Sequence, residues 1–190
     1  MKNKVFKGIL FVLLLQGLSA AVWASSYKVE VIVFEQKQRG TEVFEQTTST
    51  LQVPSSVIEV TAINDPMQIS LLEEPLSGLN AVYAQITQQA HYNVLLKKAW
   101  VQVNNNQFSP AVHFQSGDRS LNGYISLMTA GAMSMQVDIE YMSAKENHYS
   151  QSMGASPIVY RLTQKRPLKF NESHYFDHPV IGVIMQVTPI

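Results

Sequence analysis

No cysteine occurs among the 190 residues, so neither a disulfide nor the thiol on which a bacterial lipid anchor is built is available. An excess of one charge is lacking too: 14 Lys and Arg face 14 Asp and Glu, a formal net charge of zero. That balance excludes a global attraction to nucleic acid or to anionic lipid, and any anion binding has to be local. The signatures of common catalytic sites are missing: there is no Gly-rich phosphate loop, no Gly-x-Ser-x-Gly elbow and no His-Glu-x-x-His helix. The adjacent Glu73 and Glu74 precede Pro75 and read as a solvated loop before a helix. There is neither an internal repeat nor a low-complexity tract.

The N-terminus carries a clear signal. Lys2, Lys4 and Lys7 precede an apolar run from Ile9 to Leu15, followed by Ser19, Ala20 and Ala21. This is the pattern of a secretory signal peptide, with cleavage expected after Ala24, and the run is too short to span a bilayer. Removing residues 1–24 leaves 190 − 24 = 166 residues, enough for one domain with its own core. It also removes three lysines, so 14 − 3 = 11 basic residues face 14 acidic ones, a net charge of −3. A soluble, disulfide-free export product fits a bacterial periplasm, with no membrane insertion once the leader is gone.

Period-two alternation marks most of the mature chain. Tyr27–Phe34 sets Tyr27, Val29, Val31 and Val33 on one face and Lys28, Glu30, Ile32 and Phe34 on the other, a strand expected to be central. Residues 35–74 lose the pattern, with only Val57–Ile63 hinting at a strand, and read as a long, loosely structured excursion. Ser77 is placed to cap a helix to about Ala90, because Leu79, Val82, Tyr83, Ile86 and Ala90 fall on one helical face. Tyr92–Val103 is a strand broken at Asn104, Leu121–Met128 and Met133–Met142 flank a turn at Gly131, and Met142–Ser156 is a polar loop. Ile158–Arg166 and Val180–Val187 close the set. The expectation is a single α+β domain over residues 25–190: a βαβ-like opening, then antiparallel strands, with one main helix packed on a mostly antiparallel sheet.

Two clusters merit functional readings. His174, Asp177 and His178 lie within five residues of one another and could ligate zinc, but His91, His113 and His148 are scattered and supply no third strong ligand. The structural reading is a corner in which Asp177 accepts backbone N–H groups, Pro179 sets the direction, and Tyr175 or Phe176 packs on the core. Upstream, Arg161, Lys165, Arg166 and Lys169 crowd four basic residues into a nine-residue window. On a regular strand Arg161 and Lys165 share a face with Arg166 opposite. Such a surface suits a carboxylate-bearing ligand with sugar rings, or is an ordinary solvated edge strand. Trp100, on the face of Val94 and Leu96, reads as core before sugar platform.

Three stretches together, YKVEVIVFEQ, YNVLLKKAWVQ and KFNESHYFDHPVIGVIMQV, resemble the CsiV family of periplasmic peptidoglycan-binding proteins of Gram-negative bacteria. The resemblance rests on Val29–Phe34, on Trp100 with Gln102, and on Arg166, His174, Tyr175, Asp177, His178, Pro179 and Gly182. It implies peptidoglycan binding without catalysis and without a cofactor, in support of cell-wall biogenesis and cell shape. It also implies cooperation with an outer-membrane lipoprotein that activates a penicillin-binding protein. The expected ligand-binding residues are Arg161, Lys165, Arg166, His174, Tyr175 and His178, with no catalytic or metal-binding residue. The alternatives are a wall-associated hydrolase or metal-dependent enzyme, and a purely protein-binding periplasmic adaptor.

Overall fold

The computed structural model describes residues 26–37, 51–60, 69–72, 77–103, 109–128, 132–142 and 158–190. The leader, Glu73 and Glu74, Asn104, Gly131, His148 and most of the polar loop after Met142 lie outside them. In chain order the elements are β1 (Ser26–Gln36), β2 (Val57–Glu59), β3 (Ile69–Leu71), α1 (Asn80–Thr87), β4 (Tyr92–Val103), β5 (Ala111–Gln115), β6 (Leu121–Met128), β7 (Ser134–Tyr141), β8 (Tyr160–Pro167), β9 (Ser173–Asp177) and β10 (Ile181–Pro189).

The strands form two five-stranded sheets. The first has the order β3-β4-β1-β10-β9 and the second β2-β5-β6-β7-β8. Every pairing is antiparallel except β2 with β5. β1 is the middle strand of the first sheet, which explains why both its faces are apolar. Val29, Val31 and Val33 are fully buried against the second sheet, in one cluster with Phe114, Ile125, Leu127, Met135, Val137 and Ile139. Ile32 and Phe34 point the other way, into a smaller cluster with Leu79, Ile86 and Ala99 under α1. Each buried valine or isoleucine contributes about 1.5–3 kcal/mol relative to exposure, so β1 anchors both layers.

This overturns the α+β expectation. The protein is a two-sheet, mostly β sandwich, and its one described helix has eight residues. The alternating runs are equally compatible with a single sheet backed by the helix. Instead β5, β6, β7 and β8 build a second sheet whose inward residues cover the first. Alternation shows that a strand has a buried face but not which layer buries it. The βαβ-like opening fails for the same reason: β1 and β4 are antiparallel neighbours, so α1 is no crossover between parallel strands. Ser77 does not cap the helix, whose first cap position is Leu79 without a side-chain bond. The Ser77 hydroxyl accepts from Lys28 Nζ instead.

Two polar devices fasten the layers. Trp100 is 1% exposed and is core, as its strand face implied. Its indole donates to Gln102 Oε1 at 3.2 Å, and Gln102 Nε2 donates to Ser109 Oγ at 2.7 Å and to the Pro110 carbonyl at 2.9 Å. The Trp-x-Gln pair thus ties β4 of the first sheet to the lead-in of β5 in the second, with its buried polar atoms satisfied. Before α1, the Gly78 N–H donates to the buried Glu30 carboxylate at 2.9 Å. A Cβ at Gly78 would stand 1.7 Å from Gln186 Oε1 and 2.4 Å from Glu30 Oε2, so a side chain there would have to displace the ends of both.

Candidate functional site at the β9 seam

The stretch expected to be a corner, HYFD, is itself strand β9, the edge of the first sheet. Alternation sends its side chains to opposite faces. Phe176 is fully buried in the sandwich core, whereas Tyr175 and Asp177 stand on the outer face. The hairpin from β9 to β10 turns at His178 and Pro179, where the His178 N–H donates to the Ile181 carbonyl at 3.1 Å.

The outer face holds a stack of rings. A register shift where β1 pairs with β4, with Val33 opposite Leu96 and Phe34 opposite Val94, leaves Leu95 as an extra residue of β4 and brings Val94 and Tyr92 to the Phe34 face. Phe34 then lies edge-on to Tyr92 at 5.1 Å and parallel to Tyr175 at 6.2 Å. Gly182 of β10 sits between Phe34 and Asp177 in register. A Cβ there would come 2.4 Å from Phe34 Cζ, so the missing side chain is what lets the ring cross β10 to reach Tyr175.

Tyr175 is 41% exposed, yet its hydroxyl is fixed. It donates to Asp177 Oδ1 at 2.6 Å. Gln36 Nε2, from the far end of β1, lies 3.3 Å from the Tyr175 hydroxyl oxygen, 3.4 Å from Asp177 Oδ1 and 3.0 Å from the His178 carbonyl. Burial, then the Asp177 hydrogen bond, push the phenol above its usual value, so it stays a neutral donor. Asp177 Oδ1 is thereby engaged, and no partner of Oδ2 is found among the described residues.

Below the strand edge, β8 of the second sheet lies against β9. Gln164 Nε2 donates to the Asp177 carbonyl at 2.8 Å, and Arg166 Nη2 donates to Gln164 Oε1 at 3.2 Å. The Arg166 guanidinium also rests over the Phe176 ring at 5.5 Å. One side-chain amide therefore bridges the exposed Arg166 and the main chain of Asp177. Three of the six expected ligand residues, Arg166, Tyr175 and His178, gather here around Asp177.

The other three lie elsewhere or serve the scaffold. Arg161 is on the outer face of the second sheet, where Nε and Nη2 each donate to Asp138 at 2.9 Å. Asp138, 4% exposed, also accepts from Thr163 Oγ1 at 3.0 Å and from the Tyr124 hydroxyl at 3.3 Å. Lys165 is exposed and shares Arg161's side of β8 by alternation. His174, on the other side of β9 from Tyr175, has Nε2 2.9 Å from the Lys169 carbonyl and fastens the β8–β9 connection. In that connection Asn171 adopts φ 63°, a left-handed conformation asparagine tolerates.

The imidazole of His178 accepts at Nδ1 from the Val180 N–H at 3.1 Å, with its ring 6.0 Å from Tyr160. Burial lowers its pKa, partly offset by Asp177, which agrees with a neutral ring that accepts. This imidazole, rather than the Asp177 carboxylate, tightens the turn. Among the described residues no group of three His, Cys, Asp or Glu is arranged to hold a metal ion.

Sequence reasoning missed Gln36, Gln164 and Phe34 as parts of this surface. Gln36 and Tyr175 are 139 residues apart, so only the pairing of β1, β10 and β9 brings them together. The available signal was parity: Phe34 and Gln36 continue the Ile32 face of β1, which makes them neighbours of whatever strand lies two places over.

Among models of protein families, one described as "Peptidoglycan-binding protein, CsiV" matches residues 5–190. No curated protein and no solved structure matches the chain.

Proposed function

This chain belongs to the CsiV family of peptidoglycan-binding proteins, and on that premise we propose that it holds the wall non-covalently at the β9 seam. The exported chain acts in the periplasm, makes and breaks no covalent bond, and supports wall synthesis beside an outer-membrane lipoprotein that activates a penicillin-binding protein. Tyr175 offers an exposed ring face to an N-acetyl sugar, and Arg166 offers guanidinium donors to a carboxylate.

The observation that carries the location is Tyr175: a large ring 41% exposed, yet stacked on Phe34 and pinned through its hydroxyl. A solvated edge residue has no need of that support, whereas a stacking platform does, because pre-ordering lowers the entropic cost of binding.

The test uses the full chain, expressed with its leader and recovered after export, mixed with purified sacculi at low ionic strength. Retention in the pellet without release of soluble muropeptides is the expected result, with Tyr175→Ala retained at least about tenfold less, a 1.4 kcal/mol effect. Protein left in the supernatant, or muropeptides accumulating with time, would refute the reading.

A further inference from the structure

Two combinations of an aspartate with an arginine contrast: one is closed and the other is open. Asp138 and Arg161 meet in a bidentate ion pair. Asp177 and Arg166, both exposed, belong to no ion pair among the described residues. They are instead held by neutral groups: Asp177 Oδ1 by the Tyr175 hydroxyl and Gln36, Arg166 by Gln164 and the Phe176 ring. Gln164 contacts the Arg166 guanidinium and the Asp177 carbonyl with the two ends of one amide, which ties Arg166 to the main chain of the residue that bears the open carboxylate.

We propose that this open pair recognises a zwitterionic amino-acid end, a free ammonium with its neighbouring carboxylate. Peptidoglycan stem peptides present that group on their diamino acid until cross-linking consumes the amine. The inference rests on the peptidoglycan reading and narrows it to the uncross-linked stem. Asp177 Oδ2 receives the ammonium, and the guanidinium N–H groups of Arg166 not engaged by Gln164 receive the carboxylate.

The chemistry of the alternatives favours this choice. N-acetylated glycan carries no cation for Asp177, and a site for carboxylates alone would be weakened by an open carboxylate beside the ring platform. The strand edge adds a peptide-like feature. Because the Asp177 carbonyl points across the seam to Gln164, the peptide groups of Tyr175 and Ser173 face the same way by strand alternation.

The experiment compares retention on untreated sacculi with retention on sacculi whose free amines have been acetylated, their carboxylates untouched. The wild-type chain should bind the acetylated material at least about tenfold less, and Asp177→Asn, which is isosteric, should bind both materials at that lower level. Equal wild-type binding to both materials would overturn the inference and leave the peptidoglycan reading standing. No binding to untreated sacculi would overturn both.

A second measurement needs no variant and so does not depend on one folding. Titrating the wild-type chain with a γ-linked tripeptide ending in a diamino diacid should perturb Tyr175 and Gly182 resonances. The same tripeptide with that amine acetylated should perturb them at least about tenfold more weakly. Equal effects from the two tripeptides would rule the inference out.

Discussion

The outer face of the second sheet and the β9 seam of the first use the same three residue types to opposite ends. On one, Asp138, Arg161 and Tyr124 close on each other, with the carboxylate 4% exposed and both of its oxygens engaged. On the other, Asp177, Arg166 and Tyr175 are exposed and oriented but not mutually neutralised. Net charge and local composition do not distinguish these arrangements. Strand parity does, because Arg161 and Arg166 leave β8 on opposite sides. The basic window 161–169 is therefore two things at once: part of the scaffold and part of a surface available to a ligand.

The largest expected effect tests the closed pair. Arg161→Ala would leave Asp138 buried without its partner, which costs about 3–5 kcal/mol for a fully buried pair. With Arg161 24% exposed at its side chain, about 3 kcal/mol is expected. Chemical denaturation should show that loss, while the folded fraction keeps its retention on sacculi. A variant as stable as the wild type but unable to bind would reverse the two roles.

Next comes the scaffold of the open pair. Gly182→Val puts methyl groups where the Phe34 ring lies, and overpacking of this kind costs about 1–3 kcal/mol. It should also displace Phe34 from Tyr175 and so weaken sacculus binding, the coupling that Arg161→Ala lacks. Unchanged binding in a destabilised Gly182→Val protein would separate Tyr175 from its stack. A finer cut is Tyr175→Phe, which keeps the ring and removes the hydroxyl that engages Asp177. Binding should fall less than in Tyr175→Ala, by about 0.5–1.5 kcal/mol for one hydrogen bond. A loss as large as that in Tyr175→Ala would assign the binding to the hydroxyl and Asp177 rather than to the ring face.

Which of these features the sequence announces depends on the range of the interaction that makes them. The β1 alternation announces a strand buried on both faces, and Trp100 announces core, because each is a statement about its own strand. The two-sheet architecture is not announced. Leu121–Met128 and Ser134–Tyr141 would alternate identically whether they extended the first sheet or covered it, and the helical spacing from Leu79 to Ala90 overstates an element that ends at Thr87. The seam was half visible. Tyr175, His178 and Arg166 stand close in sequence to Asp177, but Phe34 and Gln36 reach it only across β10, and β9 was hidden because an edge strand of five residues looks like a turn. The Asp138–Arg161 pair was invisible for the same reason: its partners are 23 residues apart and meet only through the β7–β8 register.

The smallest effect expected is a pH dependence, and it too separates the two regions. Arg161 is held charged by its hydrogen bond to Asp138, which raises its pKa further above the usual range, so the closed pair keeps its cation from pH 7.5 to 5.5. At the seam His178 is neutral in the fold because burial depresses its pKa, while the unfolded chain titrates at about 6.5. Below that value the unfolded state binds the additional proton first. The stability associated with a neutral His178 is therefore complete above about pH 6.5 and is lost as pH falls through the lower folded value. Protonation would also turn Nδ1 from an acceptor into a donor facing the Val180 N–H, loosening the turn that follows Asp177. Denaturation midpoints should fall from pH 7.5 to 5.5 in the wild type and fall less in His178→Asn, whose side-chain oxygen can still accept from Val180. An identical slope in both proteins would move the titration away from the seam, and a wild-type midpoint that rises on acidification would contradict the neutral, accepting imidazole on which the turn is built.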